Sequence, residues 1–281
     1  MSKIAGQHIH IAGEWTSGPN AGLRGVATDV RAGVLYATGP DGILRIGSPE
    51  DFRADTGESG DQLLEILLPW PHHSTLFQGA VRESLGAAHS VALIGQQDTR
   101  AWDRPNRYIV DDNEGNAAVV QFLPGACVSA ASSHDAARVL DPAKAIVTAP
   151  AGLQDALAPL LDLPLLEFDH CPRITAVFWS HDATLAGHEP WFRTYLFGGE
   201  IFRRELMSDD AWRAESFEHY GLNNSISMTI TQIVRRALPR EVVVLTKEEE
   251  TLLFPKDSKF RDEAIEQLVS GGVFMVPSRL F

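Results

Sequence analysis

The chain has 281 residues, room for one large domain or two smaller ones, and its 44% hydrophobic and 22% charged content is that of a globular protein rather than a disordered, collagenous or disulfide-knotted one. Lys and Arg number 24 against 37 Asp and Glu, a formal charge of −13 that repels a phosphate backbone and argues against nucleic acid as a direct ligand. Cys127 and Cys171 form no CxxC array, no run is long enough to span a bilayer, and MSKIAGQHIHIAGEW has no apolar signal segment, so a cytoplasmic protein without membrane contact is expected.

Short alternating segments at 8–13, 23–30, 34–39 and 43–47 read as a β-meander, with Gly39-Pro40-Asp41-Gly42 as a hairpin turn. The polar stretch 55–61 is the expected exposed connection, dividing an N-terminal β-rich layer over 1–55 from an α+β domain over 62–281. Leu63 to Trp70 is a short apolar run. Leu76, Ala80, Val81 and Leu85 are spaced as a helix face, after which SVALIG (90–95), RYIVDD (107–112) and AAVVQFL (117–123) read as successive antiparallel strands. Residues 112–115 form a hairpin loop in which Gly115 is free to turn left-handed.

Next, a strand over 127–132 enters Ser133-His134-Asp135-Ala136, where Ser133 reads as a helix N-cap. A strand at 143–150, a helix at 152–162 and a strand at 164–168 lead to ITAVFW, which runs into a second Ser-His-Asp-Ala at 180–183. This recurrence raises the expectation of two related halves, about 89–140 and 144–206. Helices dominate the last third. One starts at Asp209-Asp210, and a second, capped at 223–225, carries the stripe Ile226, Ile230, Ile233, Val234 and Ala237. EVVVL is a buried strand, Thr246 with Glu249 a capping box, 258–270 an amphipathic helix stopped by Gly271-Gly272, and VFMVP a closing strand. The class is α+β, with mixed, largely antiparallel sheets.

No GxSxG, GxxxxGK[ST], GxGxxG, HExxH or EF-hand pattern occurs, so no cofactor is expected. His134-Asp135 and His181-Asp182 are the natural acid/base or metal-binding pairs, with His188 and Glu189 beside the second. Neither pair has a companion ligand at helical spacing, so no resident metal is expected. His8 with His10, His72-His73 and the Cys127 thiol read as surface or core residues.

Carboxylates interleaved with aromatics are more informative. Asp98, Trp102, Asp103, Tyr108, Asp111, Asp112 and Glu114 fall in one segment, and Asp209, Asp210 and Trp212 in another, alongside Glu215, Phe217, Glu218 and Tyr220. Such a surface anchors aromatics in apolar pockets while its field steers a basic protein. The stretch 107–138, RYIVDDNEGNAAVVQFLPGACVSAASSHDAAR, resembles immunity proteins of bacterial polymorphic toxin systems. The resemblance implies a protein that neutralises a toxin effector and carries over no functional residue. The expected function is an acidic inhibitor of a basic partner rather than an enzyme; the alternative is a metal-assisted hydrolase using the two His-Asp pairs.

Overall fold

A computed structural model describes residues 11–31, 34–39, 44–48, 51–54, 71–95, 100–113, 115–134, 136, 139–168, 171–181, 184–188, 194, 198–238 and 241–279. The fold is α+β, built on two main antiparallel sheets. In the first, β1 (Ile11–Trp15), β2 (Arg24–Arg31), β3 (Val34–Thr38), β4 (Leu44–Gly47) and β5 (Phe52–Ala54) lie in the order β4-β3-β2-β1-β5. This is the expected meander. Trp15, Ala27, Leu35 and Ala37 form its small core against Phe52, and Val26 joins the main core beyond it. The turn at 40–43, the connection at 55–61 and the apolar run at 63–70 lie outside the described residues.

α1 (His73–Ile94) follows, buried on nearly every face from Leu76 to Ala92, as a helix at the centre of a domain must be. Expected as a strand, SVALIG is instead the end of this helix and its cap. A short apolar run reads equally as buried helix or strand, and here it continues the buried face until Gly95, at φ 71°, returns its N–H to the Val91 carbonyl. Gly79 and Gly86 let other elements approach closely: a Cβ on Gly79 would stand 1.8 Å from the Glu205 carbonyl oxygen.

The central sheet comprises β6 (Ala101–Arg104), β7 (Arg107–Asp111), β8 (Ala117–Leu123), β9 (Ala126–Ser132), β12 (Ala176–His181) and β13 (Leu185–Gly187), each antiparallel to its neighbour in the order β13-β12-β9-β8-β7-β6. In the 112–115 loop, Asn113 and Gly115 take φ of 57° and 97°. Alternation along the strands separates two cores. Ala118, Val120, Phe122, Cys127, Ala131 and Phe178 face α1, whereas Ala117, Val119, Val128, Ala130, Val177 and Trp179 face the opposite layer.

That opposite layer is α2 (Pro142–Thr148), α3 (Ala151–Leu161), a 3-10 turn at Pro164–Leu166 and the ribbon of β10 (Glu167–Phe168) and β11 (Cys171–Pro172). The strand expected at 143–150 is thus largely helix, because Asp141 caps the Ala143 and Lys144 amides and Pro142 occupies the first turn. No helix follows Ser133 among the described residues. Its exit loop is held instead by the Arg173 guanidinium, which donates to the carbonyls of Ser133, His134 and Ala136.

The last third is helical as expected: α4 (Arg203–Leu206), α5 (Asp209–Tyr220) capped by Ser208, α6 (Asn224–Arg236) capped by Asn223, α7 (Lys247–Leu253) with its Thr246/Glu249 capping box, and α8 (Arg261–Ser270). β14 (Val243–Val244) and β15 (Phe274–Met275) pair in parallel. Among the described residues no helix is long and apolar enough to cross a membrane.

Candidate functional site

Of the aromatic side chains expected to anchor a partner, Trp102, Tyr108, Trp212 and Tyr220 point inward, whereas Phe217 is exposed. Trp102, Tyr108 and Trp212 are 4%, 0% and 0% exposed, so the folded chain presents none of them as a surface anchor. The reason is register: Trp102 lies opposite Tyr108 across β6 and β7, on the face turned to α1. The carboxylates beside them are engaged within the chain. Asp103 takes the Arg107 guanidinium; Asp111 and Asp112 accept the Asn113 and Asn116 amides and so close the hairpin turn; Asp210 pairs with Arg213. Asp98 and Glu114 lie outside the described residues.

Tyr108, Asp209 and Trp212 converge with Tyr220 on two Arg-Glu dipeptides, Arg82-Glu83 of α1 and Arg204-Glu205 of α4. Glu83 Oε1 accepts the Trp212 indole N–H, and Oε2 accepts Tyr220 OH at 2.7 Å and Arg204 Nε at 2.8 Å. Glu205 Oε1 accepts Tyr108 OH at 2.8 Å, with Arg100 Nε 3.3 Å away. Arg82 donates to the carbonyls of Arg204 and Met207, both at 2.9 Å, and to Asp209 at 3.2 Å. Its guanidinium lies 5.3 Å from the Trp212 ring centre. Toward the surface the chain of charges continues through Glu215 to Arg203 and through Asp209 to Arg235.

Two neighbouring carboxylates therefore differ in proton affinity. Burial pushes the Glu83 carboxyl up, but the guanidinium groups of Arg204, Arg100 and Arg82 outweigh it and hold the group below its ordinary value. At Glu205, burial and then the Glu83 charge prevail over Arg100 and the Tyr108 hydrogen bond, and the carboxyl rises above its ordinary value. Such asymmetry is what acid/base catalysis needs, yet both carboxylate side chains have 0% exposure and each lies against guanidinium groups. The cluster clamps α1, α4 and α5 together. Nothing in the sequence pattern marks Arg82, Glu83, Arg204 or Glu205 as buried; the Gly79/Gly86 spacing on one helix face was the available signal of close packing.

The two His-Asp pairs do not meet. β9 and β12 run antiparallel with His181 opposite Ala126, the first residue of β9, whereas His134 follows the last, Ser132. The intervening chain spans roughly 25 Å at about 3.3 Å per residue, so one metal could not be shared between them. Asp135 and Asp182 lie outside the described residues, among which no group of three His, Cys, Asp or Glu is placed to hold a metal. Among the described residues Ser180 sits within a strand and Ser133 beyond one, and the first of the two expected halves holds a four-strand meander where the second holds α3 and the β10–β11 ribbon. The Cys127 thiol is buried and pushed up to about 12 by that burial, despite a hydrogen bond from Ser180; it is a core thiol.

An open groove lies on the other side of the sheet. The β8–β9 turn and the first turns of α3 enclose a groove of about 680 Å³, lined by Leu123, Pro124, Ala126, Pro150, Leu153 and Ala156 together with Gly152 and Asp155. Among the described residues, Asp155 is the one charged side chain in that lining. Sequence reasoning missed this groove; its available signal was the run of small residues on the outer face of α3. Comparisons with known proteins return no match: no family model fits the chain, and no curated protein or solved structure is similar to it.

Proposed function

We propose that the chain is an acidic protein-binding protein, of the inhibitor or immunity kind, that engages a basic protein partner. The observation that carries this reading is the charge of the outer helical layer. Asp141, Asp155, Asp162 and Glu167 are exposed there against Lys144, which lies 3.9 Å from Asp141. On a chain of net charge −13, such a face steers a cationic surface toward itself, raising the encounter rate most at low salt. The partner-facing surface is thereby moved from the loops around Trp102 and Trp212 to the layer of α2 and α3.

The test is capture followed by measurement. Wild type and an Asp155→Lys/Asp162→Lys variant are immobilised, the bound protein from the native host is identified and purified, and its association rate is measured at low and high salt. One stoichiometric basic protein is expected, binding the variant at least tenfold more slowly. A partner without positive charge, or equal rates for both chains, overturns the reading.

A further inference from the structure

We infer that the groove between the β8–β9 turn and α3 is the docking site for one feature of that partner: an apolar side chain on an extended segment, flanked by Lys or Arg. The inference rests on the reading that the chain binds a basic protein. The groove supplies three different contacts. Its floor is aliphatic, made by Leu123, Pro124, Ala126 and Leu153, which suits an apolar side chain. Among the described residues its charged lining residue is acidic: Asp155 is exposed on the outer stripe of α3, so a cation beside the apolar group meets a carboxylate. Its end wall is the start of α3, where the Pro150 carbonyl accepts the Leu153 N–H at 2.8 Å but the Pro150 side chain offers no acceptor to the amides of Ala151 and Gly152. A backbone carbonyl of an extended segment meets that need. A free anion is disfavoured at the same place by Asp155.

Gly152 makes the inference testable without disturbing the fold. It is exposed in the first turn of α3, and a Cβ there would meet nothing within 4 Å. Leucine at this position favours the helix and fills the mouth of the groove.

The probe is the synthetic peptide Lys-Leu-Val-Lys-Leu-Val-Lys, with Glu-Leu-Val-Glu-Leu-Val-Glu as control, titrated into the isotope-labelled full chain and followed by amide chemical shifts. The expected result is a set of shifts focused on Ala126, Gly152, Leu153 and Asp155 with the basic peptide alone. Gly152→Leu and Asp155→Lys should each weaken it at least tenfold with unchanged circular dichroism. Shifts spread over the whole acidic surface, no shifts at all, or a Gly152→Leu chain that binds like wild type overturns the groove assignment. If Gly152→Leu is silent while Asp155→Lys/Asp162→Lys still weakens capture of the native partner, the groove falls and the acidic-layer reading stands; if that capture is also unchanged, both fall.

Discussion

Trp212 donates its indole N–H to Glu83, a carboxylate that lies 129 positions earlier in the chain and has a side-chain exposure of 0%. The contact fixes α5 against α1 and explains why an aromatic that looks like a surface anchor in sequence is a core residue. It also makes Glu83 the group on which α4 and α5 depend, because Arg204 and Tyr220 donate to the same carboxylate.

Replacing Glu83 with leucine leaves Arg204 and Arg100 facing an apolar group in a buried site. Breaking a buried ion pair from one side costs about 3–5 kcal/mol, and that loss is expected in urea unfolding of Glu83→Leu. Glu83→Gln, which keeps one amide oxygen to accept from either Trp212 or Tyr220, should lose less. Equal stability for all three chains would show that the cluster does not hold these helices.

For Trp102, the partner-anchor reading and the observed packing make opposite predictions. Its ring packs beside Phe77, Tyr108 and Phe122, and its N–H donates to Ser84 Oγ at 2.9 Å. Trp102→Ala should therefore lower unfolding free energy by about 3–5 kcal/mol. A chain that kept wild-type stability and lost only partner residence time would restore the surface role.

Glu205 is expected to make folding easier in mild acid. Its folded value lies above the ordinary one of about 4.3, so in the window just above that value the native chain binds more protons than the unfolded chain. The stability it contributes is present below the ordinary value and is lost as pH rises through the folded one. Glu205→Gln removes this dependence. Subtracting its denaturation midpoints from wild type between pH 4 and 8 should leave a difference that shifts in the variant's favour as pH rises.

His89 works in the opposite direction. Burial holds its imidazole below the ordinary value of about 6.5, against the hydrogen bond its Nδ1 makes with the Leu253 carbonyl at 2.6 Å. As pH falls below 6.5 the unfolded chain takes up the proton first, so stability drops. His89→Gln should show a smaller loss between pH 7 and 5, read from urea midpoints.

What could be seen in the sequence was local. The Ile226 to Ala237 stripe, the Thr246/Glu249 box and the Gly115 turn each depend on residues a few positions apart, and each is present. SVALIG and AKAIVTAP form helix where a strand is expected because short apolar runs do not by themselves separate helix from strand; Asp141-Pro142, a helix start, is the local signal against a strand. The buried tetrad of Arg82, Glu83, Arg204 and Glu205 was invisible for a different reason. Charge in a sequence signals solvent, and only the meeting of distant segments cancels it.

Arg82 also has a temporal consequence. It carries the carbonyls at the end of α4, 122 to 125 positions downstream, so α1 is synthesised long before its buried charges find partners. Until the ribosome has released residues through Tyr220, Arg82 on the central helix lacks the α4 carbonyls and Asp209, and Glu83 has Arg100 but lacks Arg204, Trp212 and Tyr220. The main core also draws on residues from Phe202 to Val276, so its closure waits for the C-terminal helices.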